Sequence, residues 1–307
     1  GTQWTLGRRR RAGAPGTAEA GSEGPLRPAG PADRNCDYCL QPYRPRTTTR
    51  GKARSENLLW HALEVCGLSA ARPALHALQD ALGRDMTVWG WKFDGAQSWV
   101  ELYFYDPQKE DVRATVPGLK EILAPHLTLT PEVPDWVRYM MVSFDLKPET
   151  FETGVVDEVN LYLTGTDEHA GRSYRVRGGE AWLDNTYRFL PPKQEIDTVL
   201  SLLQSSMFID YDTSPTVLSK VLIPNLFACK RICIAKKQQS DGVYYSGIDI
   251  DQLLWFLKAF EYPAPIQAFV RRHKVRFEHL FFDVGIDTRQ HADKRIHYPK
   301  SSFYGTL

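Results

Sequence analysis

The chain has 307 residues, of which 42% are hydrophobic, enough to build one large core or two modest ones and to leave room for a sizeable pocket. Lys and Arg number 38 against 37 Asp and Glu, a net charge of +1, so no global field draws the protein to nucleic acid or to an anionic membrane and any cationic recognition must be local. Five unevenly spaced cysteines (Cys36, Cys39, Cys66, Cys229, Cys233) argue against a disulfide framework and for a reducing, cytoplasmic setting. There is no apolar run of about 18 residues, and Arg8 to Arg11 are followed by Ala, Gly and Pro, so neither a membrane span nor a secretory signal is expected.

From Gly1 to about Gly51 the chain is rich in Gly, Pro, Ala, Arg and Thr and poor in large aliphatic residues, which does not offset the entropy of ordering it. Residues 1–54 are therefore expected to be disordered and 55–307 to form a single domain. Within the first segment, Cys36-Asp37-Tyr38-Cys39 has the spacing of half a zinc site or a redox pair. No second CxxC or His pair follows at a usable distance, so it reads as two incidental thiols.

After Ser55 the pattern changes. Leu58, Leu59, Ala62, Leu63 and Cys66 recur at helical spacing, and Pro73 to Leu82 repeats the pattern. Met86 to Phe93 and Ser98 to Tyr105 then flank Asp94-Gly95, a strong hairpin signal. Tyr139 to Leu146 with Val155 to Leu163, and Ser173 to Arg177 with Ala181 to Phe189, read as a second and third strand pair. Arg231 to Lys236 with Val243 to Ile248, across Asp241-Gly242, make a fourth, and His279 to Asp287 with Tyr298 to Thr306 a fifth. Helical stretches separate them: Val116 to Ala124, Lys193 to Ser206, Ser214 to Val221, Ile250 to Phe260 and Ala264 to Phe277.

The second strand of each pair carries a tyrosine, at Tyr103, Tyr162, Tyr187, Tyr245 and Tyr304, with three near-equal steps and one short one. That is the mark of a repeated supersecondary unit, with about 34 residues of helical connection missing between the second and third copies. Hairpins separated by helices can turn one face to the helices and the other to a lumen. The expected fold is α/β, a ten-strand antiparallel barrel of repeated hairpins surrounded by helices. On Cys229 to Lys237, Ile232 and Ile234 take the helix face, and Arg231 and Cys233 the lumen face. On the last strand Lys300, Ser302, Tyr304 and Thr306 share a face. A buried cation needs an anion, so Arg231 and Lys300 either meet a ligand or pair with carboxylates such as Glu101, Asp145 or Asp283.

At these residues the sequence resembles the soluble aromatic prenyltransferases of the ABBA, or PT-barrel, fold. The similarity lies in Phe227-Ala-Cys-Lys-Arg231-Ile-Cys-Ile, Tyr298-Pro-Lys300-Ser-Ser-Phe-Tyr304 and Asn185-Thr-Tyr187, and in the order of elements from about Glu56 onward. The resemblance implies a role in secondary metabolism, with a prenyl diphosphate as co-substrate and an aromatic acceptor, small molecule or peptide side chain, as partner. It implies diphosphate binding by Arg231 and Lys300 and substrate contact at Asn185. Family members that need magnesium hold it through an aspartate where this chain has Tyr103, so no metal cofactor is implied. Lysines of the second and third repeats have no counterpart, and Lys92, Arg175 and Arg188 are the candidates to replace them.

Prenyl transfer needs cations around the leaving diphosphate, here Arg231, Lys300 and Lys92. It needs aromatic faces to shield an allylic cation, here Tyr103, Tyr162, Tyr187, Tyr245 and Tyr304. It also needs a base, for which Glu101, on the same strand face as Tyr103, is the candidate. The eight histidines do not cluster, and the basic run Arg271 to Arg276 reads as a solvated helix face. No GxSxG, P-loop, HExxH or GxGxxG occurs. A monomer is expected, with neither nucleic acid nor membrane as partner. The alternative function is a non-catalytic barrel that binds a hydrophobic anion.

Overall fold

Period-two alternation of side chains marks ten strands, and in the computed structural model, which describes residues 24–307 apart from 166 and 168, these close into a barrel. The strands are β1 (Thr87–Phe93), β2 (Ser98–Tyr105), β3 (Met141–Leu146), β4 (Glu158–Thr164) and β5 (Ala170–Arg177), then β6 (Glu180–Leu190), β7 (Arg231–Lys236), β8 (Asp241–Ile248), β9 (Phe282–Gln290) and β10 (Ser301–Thr306). Every pairing among them is antiparallel. Each strand lies beside its sequence neighbours, and β10 returns to pair with β1, so the barrel has no open edge.

Outward side chains pack beneath the helices. Trp89, Trp91, Leu102, Phe104, Val142, Phe144, Ile232, Ile234 and Phe303 are buried there in one core with Leu59, Leu63, Leu75, Leu78, Leu253 and Phe256 of the helices. At ~1.5–3 kcal/mol for each large apolar side chain removed from water, this shell is the main stabilising term. Nine α-helices occur among the described residues, and none is long and apolar enough to cross a membrane. The last expected helix is interrupted at His273, giving Ala264–Arg272 and Lys274–Phe277.

The short step in the repeat has a structural counterpart: residues 165–169 alone join β4 to β5, without a helix among the described residues. The outer face there is less covered, and Leu183 of β6 stays 44% exposed.

Two expectations are corrected. Asp241 and Gly242 are not the turn of the fourth hairpin; they pair with Lys236 and Ala235 inside β8, and the turn falls at 237–240, closed by Lys237 N–H donating to Ser240 O. Disorder to residue 54 does not hold for the described part of that segment, and residues 1–23 lie outside the described residues. Arg54, 3% exposed, is gripped by Asp33, Glu56 and Asp85 at 2.8–2.9 Å, and Arg27 bonds Glu56 and Gln79. Ala53 N–H donates to Arg276 O, and the Tyr43 hydroxyl lies at 3.4 Å from Phe281 O. Ion pairs with distant partners order this segment, and a count of aliphatic residues does not register them.

Candidate functional site: a tyrosine-walled lumen

The lumen encloses about 570 Å³. Its aromatic wall is built by the repeat: Tyr187, Tyr162, Tyr103, Tyr304 and Tyr244, one from each even-numbered strand, follow one another with ring centroids 6.0–6.4 Å apart. Two glycines make the room. A Cβ on Gly90 would stand 2.7 Å from the Tyr304 ring, and one on Gly285 2.5 Å from the Tyr244 ring, and each glycine faces its tyrosine across a strand pair. Asn185 also lines the lumen, its amide donating to the Tyr187 hydroxyl at 2.9 Å.

The member from the fourth hairpin is Tyr244 and not Tyr245, a correction set by register. Tyr244 pairs with Cys233, which faces inward, and so Tyr245 must face outward. Tyr245 is fully buried in the shell; its hydroxyl donates to Val221 O at 2.6 Å and accepts from Ile223 N–H at 2.9 Å.

Three lysines gather at one end. Lys92 Nζ donates to the hydroxyls of Tyr103 and Tyr304, both at 2.8 Å, and lies 3.4 Å from Glu101. Lys237 Nζ donates to the Tyr244 hydroxyl and to Asp287, both at 2.7 Å. Lys300 lies 3.7 Å from the same Asp287. Burial is the largest influence on the Lys300 ammonium, and with Lys237 and Lys92 nearby it lowers the pKa below the usual lysine value despite Asp287. Burial opposes the charge of Asp287 too, but Lys237 and Lys300 hold its carboxyl below the usual range. Three ammonium groups thus share two close carboxylates, Glu101 and Asp287.

Arg231 belongs to the other end. It pairs with Ser246, which pairs with Asp283, whereas Lys300 O accepts the N–H of Asp287. Four residues of β9 separate these levels, about 13 Å along the strand at ~3.3 Å per residue. The charged or titratable groups that bear most on Lys300 are Asp287, Lys237, Lys92 and Glu101; those that bear on Arg231 are Cys39, Tyr38, Asp37 and Asp283, with no member in common. Arg231 and Lys300, expected to act on one diphosphate, therefore do not converge.

The Arg231 end is closed by the segment that was expected to be disordered. Asp37 Oδ2 lies 3.2 Å from the Arg231 guanidinium, and Tyr38 N–H donates to Asp283 at 2.9 Å. Tyr105 donates its hydroxyl to Tyr38 O, and the Tyr38 ring sits 5.3 Å from that of Tyr304. Cys39 joins the lumen wall, so the CxxC segment is part of the barrel floor.

Glu101 faces the lumen from β2 with both oxygens engaged: Oε1 is 3.4 Å from Lys92, and Oε2 accepts from the Ser143 hydroxyl at 2.6 Å and the Tyr162 hydroxyl at 3.5 Å. Burial alone would raise its pKa, but Lys92, Lys300 and the hydrogen bonds from Ser143 and Tyr103 outweigh it and hold the carboxyl at about 2. Directly opposite on β3 stands Asp145, also in the lumen wall. Of the proposed replacement cations, Arg175 lines the lumen and pairs with Asp184 and Glu158, while Arg188 is absent from the lumen wall and pairs with Asp167.

No family model and no curated protein matches this chain. The fold and the lumen define it as a closed ten-strand antiparallel barrel with helices and an interior of tyrosines and lysines. Lys237, Tyr244, Asp287 and Tyr38 escaped the sequence reading. For Lys237 a signal existed, since alternation carried one step further from Arg231, Cys233 and Ala235 puts it on the lumen face.

Proposed function

We propose that the barrel binds an allylic diphosphate with its anionic end among Lys92, Lys237 and Lys300, and transfers the prenyl group to an electron-rich aromatic acceptor, as the resemblance to ABBA-type prenyltransferases implies. The observation that carries this reading is the excess of ammonium groups at one end of an open lumen, hydrogen-bonded to the hydroxyls of Tyr103, Tyr244 and Tyr304. Positive charge already in place where the leaving diphosphate gains negative charge lowers the barrier by several kcal/mol, on the order of that for an oxyanion donor. The tyrosine ring offers π faces to the allylic cation and excludes water, an attraction of about 2 kcal/mol when desolvated. The reaction runs on these side chains without a metal cofactor, in the cytoplasm and in a monomer.

A second reading is a non-catalytic binder of a hydrophobic anion. It is favoured by Asp287, which already partners Lys237 and Lys300 and so leaves less positive charge for a ligand to neutralise.

The test is calorimetric titration of the purified protein, in excess chelator, with dimethylallyl, geranyl and farnesyl diphosphates. Mass spectrometry after incubation with a panel of phenols, naphthols and indoles then looks for product. Binding that is lost in Lys300→Ala, with an alkylated acceptor, supports transfer. Binding with the diphosphate intact supports the second reading, and no binding of any donor overturns the first.

A further inference from the structure

We infer that Asp145, rather than Glu101, is the carboxylate that takes up the proton the acceptor releases. The inference rests on the prenyl-transfer reading and assigns one more role within it. Glu101 and Asp145 face each other across the β2–β3 pair on the lumen side, yet their surroundings differ. Both oxygens of Glu101 are engaged by Lys92, Ser143 and Tyr162. Asp145, only partly buried, lines the cavity and has no hydrogen bond, ion pair or ring contact among the described residues.

The groups that face Asp145 are Glu101 from β2, Lys92 from β1, Lys300 just before β10, Lys147 just beyond its own strand and Arg175 from β5. Burial is the largest influence and the Glu101 charge the next; together they outweigh the three lysines and push the Asp145 carboxyl up to about 6. Its neighbour stays at about 2. Paired carboxylates driven apart in this way divide their duties: the one near working pH accepts and returns a proton, and the other stays a fixed charge.

In the step assigned, the C1–O bond of the donor breaks with its electron pair leaving on the diphosphate, and π electrons of the acceptor ring form the new bond to C1. The ring C–H bond then breaks, its electrons restore aromaticity, and the proton passes to an Asp145 oxygen. Water at the lumen mouth later removes it. If the acceptor is alkylated on oxygen or nitrogen, the O–H or N–H proton takes the same route.

The experiment measures transfer from dimethylallyl diphosphate to 1,6-dihydroxynaphthalene, N-acetyltryptophanamide and N-acetyltyrosinamide between pH 5 and 8, in wild type, Asp145→Asn and Asp145→Glu, with thermal melts of each. A positioned base contributes roughly 10²–10⁴-fold, so Asp145→Asn is expected to lower kcat at least a hundredfold while donor affinity stays within about threefold. Asp145→Glu should regain part of the rate. Wild-type kcat should fall as pH drops through about 6, and the residual rate of Asp145→Asn should lack that limb. Wild-type turnover in Asp145→Asn, or an acid limb that persists in it, overturns the assignment and leaves the transfer reading standing. Donor binding with no transfer to any of the three acceptors by wild type overturns both.

Discussion

The two ends of the lumen carry cations of opposite standing. At the Arg231 end the guanidinium has a carboxylate of its own, Asp37, and the segment that bears it is tied down through Tyr38 and Asp283. At the other end Lys92 and Lys237 lean on tyrosine hydroxyls, and with Lys300 they share Glu101 and Asp287. A satisfied ion pair gains little by exchanging its partner for a ligand, whereas a group of ammonium ions short of anions gains a great deal. On the proposed function, the state of a cation's partners, more than its proximity to the cavity, marks which cation meets the ligand.

The largest effect in breaking this contrast should come from Lys92→Met. It leaves Glu101 buried without its cation, and losing one partner of a buried pair costs about 3–5 kcal/mol. Urea unfolding should show it, and adding Glu101→Gln to the same chain should recover a good part of the loss. Next come the adjacent tyrosines. Tyr245→Phe removes both hydrogen bonds of a buried hydroxyl and should cost ~1–3 kcal/mol of stability while leaving diphosphate affinity unchanged. Tyr244→Phe should do the reverse, weakening diphosphate affinity with little effect on unfolding, because its hydroxyl meets Lys237 in the lumen.

Acid should separate the ends as well. The Glu101 carboxyl titrates at about 2 when folded against an ordinary 4.5, so its contribution to stability is whole above about 4.5 and is lost as pH falls towards 2. Unfolding free energies measured at pH 5 and pH 3 should differ less in Glu101→Gln than in wild type. The smallest effect is that of Asp37→Asn, since a partly exposed pair contributes only about 1 kcal/mol. A larger loss there would show that the floor segment is held mainly through Arg231.

Alternation and hairpin turns made the barrel legible in the sequence. Ile232 and Ile234 go to the shell and Arg231 and Cys233 to the lumen as period two requires, and four of the five repeated tyrosines line the wall. The fifth was not legible, because a repeat spacing cannot choose between neighbours such as Tyr244 and Tyr245; the cross-strand partner Cys233 decides it. The separation of Arg231 from Lys300 was hidden for the same reason, since both lie on lumen faces and register alone sets their levels. Ordering of 24–54 was hidden because its anchors, Asp85, Arg276 and Asp283, are remote in sequence.

The central claim is that the lysine end, and not the Arg231 end, is where the lumen takes an anion. Calorimetric titration of inorganic diphosphate into wild type, Lys237→Ala and Arg231→Ala tests it most directly. A charge-assisted hydrogen bond is worth ~1.5–3 kcal/mol, so Lys237→Ala should weaken binding roughly tenfold or more, while Arg231→Ala should change it by less than about threefold. Loss of binding in Arg231→Ala with affinity retained in Lys237→Ala would contradict the account.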